Sequence, residues 1–373
     1  KLDPLVQAAL RCGAYQILYL DRVPDSAAVN ESVALVKAGK KLSAAGLVNG
    51  VLRSLTRRKG SLTLPEGDSP KALSVRYSVP EELILLWRKS YGKSFTARLL
   101  ESFQKRPALY LRLNPLRTTK DDLAAALEGQ GCRIKPLGGL PWGAALEGSG
   151  SPAALPQFQE GLYHVQDLSA QLACQLVGAK PGERVCDCCA APGGKSFTLA
   201  EDMENTGELY AFDLYKGRVG LIQQGAERLG LSCILAQRRD GTKPYEDLPR
   251  MDRVLCDAPC SGYGVLRRKP EIRYKSLESA KELPKLQLSL LENAAGLVRP
   301  GGLLVYSTCT LHPAENSGVA QRFLSAHPEF APEAIRLAGV ERCLDEPEHM
   351  LTMTPFSGAS DGFFAACFRR KEG

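Results

Sequence analysis

No stretch of the 373-residue sequence approaches the roughly 18 consecutive apolar residues that a membrane-spanning helix requires. The start of the chain lacks the basic region, apolar run and small-residue cleavage site of a secretory signal, so the expected address is the cytoplasm. The phosphate-loop spacing Gly-x-x-x-x-Gly-Lys-Ser/Thr is missing. So is the Gly-x-Gly-x-x-Gly fingerprint of dinucleotide enzymes, which counts against a nicotinamide oxidoreductase. No second Cys-x-x-Cys pair accompanies Cys186 and Cys189, and no bound metal is expected. Internal repeats and low-complexity tracts are absent as well.

The length suits two or three domains. Several of the 12 cysteines lie in apolar runs, such as Cys256 in Arg253-Val-Leu-Cys256 and Cys367 in Phe363-Phe-Ala-Ala-Cys367. There they read as small buried hydrophobes in a reducing compartment rather than as a disulfide framework. The net charge of +7 is unevenly spread: residues 1–150 carry 23 Lys+Arg against 13 Asp+Glu, and residues 151–373 carry 25 against 28. That asymmetry suggests a polyanion contacted by the front part; a solvated basic surface without a ligand is the plainer alternative.

Residues 1–58 read as an all-helical module. Asp3-Pro4 offers a cap and a first-turn proline, followed by Leu5, Ala9, Gly13 and Ile17 at helical spacing. Asp25 can cap a second helix carrying Val29, Val33 and Val36. A third runs from about Leu42 through Leu47, Val51 and Leu55 to Arg57-Arg58-Lys59, charges that also suit a helix C-terminus. Residues 59–72 are rich in Gly, Ser and Pro and read as a linker. Residues 73–150 read as a small α/β subdomain, with Tyr110, Arg112 and Asn114 in a strand and a helix from Asp121. From 151 to 373, strands and helices alternate as in a doubly wound, Rossmann-like parallel sheet, with polar residues just beyond the strand ends: Asp187, Asp213, Asp240, Asp257 and Ser307-Thr-Cys309.

Cys189-Ala190-Ala191-Pro192-Gly193-Gly194-Lys195 joins the first of these strands to a helix. Its small residues permit close backbone approach to a ligand, and the helix start offers unpaired N–H groups. Asp213, 26 positions after Asp187, can accept from a ribose hydroxyl pair, and Asp240 from an adenine amino group. A nucleoside cofactor without phosphates fits this pattern.

Asp187-x-Cys-Ala-Ala-Pro-Gly-Gly-Lys195-Ser, Asp257-Ala-Pro-Cys260-Ser-Gly and Ser307-Thr-Cys309-Thr together resemble the RNA cytosine-C5 methyltransferases of the Nol1/Nop2/Sun family. The front module, with LRCGAYQILYLDRVPDSAAVNESVALVKAG and LVNGVLRSL, looks like a NusB-type domain that begins upstream of Lys1. The resemblance implies S-adenosylmethionine as cofactor, held by Cys189 to Lys195, Asp213, Asp240 and Asp257. It implies Cys309 as nucleophile and Cys260 as the cysteine that helps release the product. The combination implies 16S ribosomal RNA, free or partly assembled, as the partner. Transfer RNA or large-subunit rRNA as substrate, and a non-catalytic assembly factor, are the alternatives. Tyr263 and the stretch RRKPEIRYK depart from the family pattern, which puts contacts to the target RNA in doubt.

The chemistry explains why cysteines are needed. Thiolate addition at carbon 6 of cytosine makes carbon 5 nucleophilic enough to take a methyl group. Cys309 should therefore have a lowered pKa or a nearby base. Asp257 is the candidate to act at ring N3, Lys195 acts at the base or the cofactor, and Cys260 could take the carbon 5 proton or position a water to do so. A rival reading gives the attack to Cys260. His312 reads as a loop residue and Glu315-Asn316 as the cap of the next helix.

Overall fold

In the computed structural model, which describes residues 2–148, 150–358 and 360–372, Asp3 accepts from the Leu5 N–H (2.9 Å) and Pro4 opens α1 (Pro4–Tyr19). In α2 (Asp25–Ala38) the expected cap, Asp25, lies inside the first turn without a cap bond, where its charge still favours the helix dipole. α3 (Ala45–Arg58) ends on Arg57 and Arg58. The α1 stripe is as expected at Ala9, Gly13 and Ile17 and differs only at its first position, whereas the α3 stripe runs one residue away from the expected one. Val6 rather than Leu5 faces inward in α1, and Val48 and Leu52 rather than Leu47 and Val51 in α3. Both stripes of α3 are apolar, so periodicity could not choose between them. Gly13 marks the face that packs: a Cβ there would lie 2.5 Å from Ser32 Oγ and 2.6 Å from Leu52 Cδ1. These helices form a compact unit ending at Asp68, with its own core.

The linker expected over 59–72 is shorter than that, because Ser69 accepts from the Ala72 N–H (3.2 Å) and starts α4 (Pro70–Tyr77). α5 (Glu81–Ser102) breaks at Gly92, where φ is +83°. These two helices share a core with Tyr263, Leu266, Ile272 and Leu311 of later loops, not with the small sheet. That sheet comprises β1 (Leu109–Leu113), β2 (Arg133–Leu137), β3 (Leu140–Glu147) and β4 (Tyr163–Val165), antiparallel in the order β2-β3-β1-β4, with α6 (Lys120–Glu128) and α7 (Pro156–Gln159). α6 is capped by Thr119, ahead of the expected start at Asp121. The region expected as 73–150 therefore divides in its packing, since its helical part joins those later loops and its sheet recruits β4 from beyond residue 150.

The larger sheet is built from α8 (Leu168–Val177), β5 (Arg184–Asp187), α9 (Gly194–Asp202), β6 (Glu208–Asp213), α10 (Lys216–Leu229), β7 (Ile234–Arg238), β8 (Met251–Asp257), α11 (Leu283–Leu297), β9 (Val298–Thr308), α12 (Ser317–Ala326), β10 (Phe330–Pro332), β11 (Met350–Met353), α13 (Pro355–Gly358) and β12 (Phe363–Arg370). Its order is β10-β12-β9-β8-β5-β6-β7, with β11 on β12. β5 to β9 pair in parallel, as the strand–helix alternation requires, and β10 to β12 add an antiparallel edge. Successive residues bury on opposite faces. Val185, Leu255 and Val305 meet α8 to α10, whereas Cys186, Val254 and Tyr306 meet α11 and α12. Chain order reverses at β5, which has β6 on one side and β8 on the other, so a crevice opens beyond the C-terminal ends of these strands.

Candidate active site

The turn from β5 to α9 is held by backbone. Ala190 N–H donates to Phe212 O (2.7 Å), Gly193 N–H to Ala190 O (2.8 Å), and Arg218 Nη2 to Ala191 O (2.8 Å). Gly193 adopts φ +115°, and a Cβ there would lie 2.3 Å from the Phe197 ring, so only glycine fits. No side chain caps α9, which leaves its first-turn N–H groups available to a ligand. Asp213 is 5% exposed; its Oδ1 accepts from the Tyr215 N–H (3.1 Å) and its Oδ2 lies 3.4 Å from Arg218 Nη1. Asp240 is exposed and accepts from the Thr242 N–H and hydroxyl (3.0 and 2.6 Å), bonds that hold its carboxyl below the usual range. Its neighbour Gly241 is close enough to the turn that a Cβ would sit 4.0 Å from Cys188 O.

Beyond β8 and β9 stands a second group. Asp257 accepts from Lys195 Nζ at Oδ2 and from Ser307 Oγ at Oδ1, both at 2.7 Å. Burial pulls the Lys195 pKa down, but the charge and hydrogen bond of Asp257 outweigh it and raise the pKa overall. Cys260 Sγ and Cys309 Sγ lie 3.3 Å apart. The hydrogen bond from Cys260 lowers the Cys309 pKa; burial and Asp257 oppose this, and the charges of Lys195 and Lys269 assist it. Cys260 is pushed the other way, first by that same bond and then by burial. Of the two thiols, Cys309 is the one whose ionisation these surroundings favour.

Sequence reasoning missed the braces of these loops. Glu315, fully buried, accepts from the Ser261 N–H (2.9 Å) and from Gln287 Nε2 (2.8 Å), so it ties the Pro-Cys loop to the segment after Cys309 instead of capping α12. Asn316 stands at the cap position, but its side chain is engaged with Thr308 Oγ1 and Thr310 O. Trp87 Nε1 and the Tyr91 hydroxyl donate to Leu311 O (3.1 and 3.3 Å) across more than two hundred residues, a relationship no local pattern announces. Gln166 links β4 to α9 by donating to Gly194 O (3.0 Å) and accepting from Thr198 Oγ1 (2.7 Å). The buried carboxyl of Asp187 accepts from Ser196 Oγ (2.7 Å), and burial raises its pKa to about 6.

Tyr263, expected near the RNA side, is 1% exposed and packs with Trp87, Leu266 and Leu311. His312 stacks on Tyr263 (centroids 6.3 Å) and accepts from the Ala314 N–H at Nδ1 (3.2 Å) as part of its loop. Cys186 Sγ approaches Cys188 Sγ (3.8 Å). Among the described residues no group of three or more His, Cys, Asp or Glu side chains is disposed to hold a metal ion. No described helix is long and apolar enough to cross a membrane.

Residues 174–369 match the model of the 16S rRNA methyltransferase RsmB/F family, residues 1–57 that of the NusB family, and residues 79–151 that of the RsmF/B-like ferredoxin-like domain. The chain belongs to the 16S rRNA methyltransferase RsmB/F family. It is 38% identical over 376 residues to "Probable ribosomal RNA small subunit methyltransferase B" of Synechocystis sp., covering 99% of this chain and 84% of that protein. It is 36% identical over 381 residues to the protein of the same name from Bacillus subtilis strain 168, covering 100% and 84%. The crystal structure of PH0851 matches with a TM-score of 0.87 at 28% identity, over 99% of this chain and 83% of that one. This RsmB/F chain is thus an S-adenosylmethionine-dependent rRNA methyltransferase. Its residues fit that cofactor: the Gly193 cradle admits no Cβ, the start of α9 is uncapped, and a buried carboxylate, Asp213, ends the next strand.

Proposed function

We propose that this chain methylates carbon 5 of a cytosine in 16S rRNA, with Cys309 as a transient covalent nucleophile. The observation that carries this reading is the thiol pair at 3.3 Å, with one member favoured as thiolate and the other as thiol. The Cys309 thiolate adds to carbon 6 of the cytosine, the carbon 5–carbon 6 electrons move to carbon 5, and carbon 5 takes the methyl group. S-adenosylmethionine, when bound, supplies that methyl as an electrophile on a sulfonium. A water positioned by the Cys260 thiol, or Cys260 itself once it has given up its own proton to solvent, then accepts the proton from carbon 5. The electrons of that C–H bond restore the ring double bond, and the bond from carbon 6 to sulfur breaks to return Cys309 as thiolate.

Because Lys195 and Ser307 both donate to Asp257, the carboxylate is an acceptor in this arrangement. Lys195 is then the group with protons to present at ring N3, and the remaining lone pairs of Asp257 suit the exocyclic amino group of cytosine. The turn from Cys189 to Lys195 would approach the cofactor by backbone, Asp213 would receive its ribose hydroxyls and Asp240 its adenine amino group. The target base must stand out of its stack to reach Cys309.

The test is to incubate the full chain with transcribed, unmodified 16S rRNA and methyl-labelled S-adenosylmethionine, then digest the RNA to nucleosides. Label in 5-methylcytidine is expected, at one position mapped by bisulfite sequencing. Label in another nucleoside, or none, would remove the reading. Label entering only tRNA or large-subunit rRNA would keep the chemistry and change the substrate.

A further inference from the structure

Tyr274 is 82% exposed, more than any other large apolar or aromatic side chain among the described residues. An exposed phenol forgoes the burial that ordinarily makes an aromatic ring useful to a fold. Its backbone is nevertheless firmly anchored. Tyr274 closes a 3-10 turn, Pro270–Tyr274, whose Ile272 is 6% exposed and packs with Tyr263, Leu266 and Leu311. Arg273 Nη1 donates to Tyr77 O (3.2 Å), Lys275 N–H to Ile272 O (3.0 Å), and the Tyr263 hydroxyl to Ser276 O (3.2 Å). Before the turn, Arg268 is held by Asp167 and Asp361. The ring is presented from a fixed rail, not from a loose loop.

That rail is joined to both cysteine loops. A Cβ on Gly262, two residues after Cys260, would lie 2.9 Å from Ile272 Cδ1, and the Gly264 N–H donates to Cys309 O (3.1 Å). Lys269, the residue that enters the turn, is near enough for its charge to favour the Cys309 thiolate. At about 2 Å rise per residue in a 3-10 turn, Tyr274 lies on the order of 10 Å along the rail from Lys269, the scale of a neighbouring nucleotide rather than of the target base itself. Exposed Lys269 and Lys275 flank the turn. Glu271, three residues before Tyr274, shares its side of the turn and repels phosphate, so a base rather than the sugar-phosphate chain belongs over the ring.

We propose that Tyr274 is a stacking platform for an unpaired nucleotide flanking the target cytosine. An exposed aromatic bordered by cations is the arrangement by which proteins hold single-stranded nucleic acid, since every base has a face that can stack. The inference rests on the RNA methylation reading above and adds to it the state of the substrate: the strand beside the target enters unpaired.

The test compares Tyr274→Ala, Tyr274→Phe and Tyr274→Trp in the full chain, using a short single-stranded RNA with one central cytosine and the same strand annealed to its complement. Tyr274→Ala should weaken binding of the single strand by roughly five- to a hundred-fold, the range for losing one stacked base. It should raise the RNA KM more than it lowers kcat at saturating RNA, and leave S-adenosylmethionine affinity unchanged. Tyr274→Phe should restore binding, and Tyr274→Trp fluorescence should be quenched by the single strand but not by the duplex. Wild-type affinity in Tyr274→Ala, or equal losses in Ala and Phe, would overturn the platform. Wild-type methyl transfer is measured alongside. Normal transfer with an unaffected alanine variant removes the platform alone, whereas absent transfer with a weakened alanine variant removes the methylation reading alone.

Discussion

Cys260 Sγ and Cys309 Sγ meet at 3.3 Å although 49 positions separate them. Strands β8 and β9 pair in parallel with Asp257 opposite Ser307, so the residues just past both strand ends emerge side by side. The Ala258 N–H donates to Ser307 O (3.0 Å) and Ser261 Oγ contacts Thr310 Oγ1 (2.7 Å), which continues the pairing beyond the sheet.

Opposite fates follow for the two thiols when each is removed. Cys260→Ala should retain attack but lose release, and so accumulate a protein–RNA adduct that survives denaturing electrophoresis. Cys309→Ala should form none, and both variants should lose turnover. An adduct in Cys309→Ala and none in Cys260→Ala would assign the attack to Cys260.

The pH response of Cys309 should depend on Cys260. The hydrogen bond from Cys260 is the largest influence lowering the Cys309 pKa. Its removal withdraws stabilisation from the thiolate, so the pKa must rise. Alkylation of Cys309 by iodoacetamide, followed at the peptide level by mass spectrometry across pH 6–10, should show its midpoint below the ordinary thiol value of about 8.5 in the wild type. In Cys260→Ala the midpoint should move upward. A downward move would mean that Cys260 acts on Cys309 by some means other than donation.

Most of the parallel strands and the polar residues at their ends were legible in the sequence, because β5, β6, β8 and β9 each carry a short apolar run stopped by Asp or Ser. The placement of Asp257, Cys260 and Cys309 at one sheet edge follows from that pattern. Glu315, Gln287 and Trp87 were not legible, since each acts on a partner far along the chain and local periodicity carries no such information. The inward face of α3 was misplaced by one residue for a different reason. Leu47, Val48, Val51 and Leu52 are all apolar, and only packing against Gly13 shows which pair turns inward.

Gly193→Ala should damage the cofactor site more than the fold around it. The added methyl meets the Phe197 ring at 2.3 Å, and alanine resists φ +115°. The strain, on the order of 1–3 kcal/mol, is relieved by moving the turn away from the position it holds for the cofactor. Calorimetry should show S-adenosylmethionine affinity reduced by about tenfold or more, with RNA affinity little changed. Undiminished cofactor affinity would mean that the cofactor does not rest on this turn.

Glu315→Ala should lower both stability and rate. It leaves the Ser261 N–H buried without its acceptor, at about 1–3 kcal/mol, and removes one of the two acceptors of Gln287 Nε2, which still donates to Pro259 O (3.0 Å). The melting temperature should fall by several degrees, and kcat should fall because Ser261 adjoins Cys260. Glu315→Gln keeps an acceptor oxygen and should recover much of both. If Glu315→Ala melts early yet turns over normally, the brace serves the fold and not the alignment of the thiols.

Removal of residues 1–68 separates two contributions to substrate binding. The segment ends at the boundary of the first compact unit and carries 10 Lys+Arg against 6 Asp+Glu. Some of that charge is already neutralised, since Lys41 pairs with Asp3 and Lys59 with Asp25. Arg53, Arg57 and Arg58 lie on the exposed or half-exposed side of α3. Phosphate contacts release counterions, so the logarithm of RNA affinity should fall steeply with the logarithm of salt for the full chain and less steeply for residues 69–373. Cofactor affinity should not change, because every residue assigned to that site lies after 69. RNA and cofactor affinities that fall together would mean that the second unit does not keep its fold alone. An unchanged salt slope would place the phosphate contacts elsewhere, on the basic residues between 71 and 135.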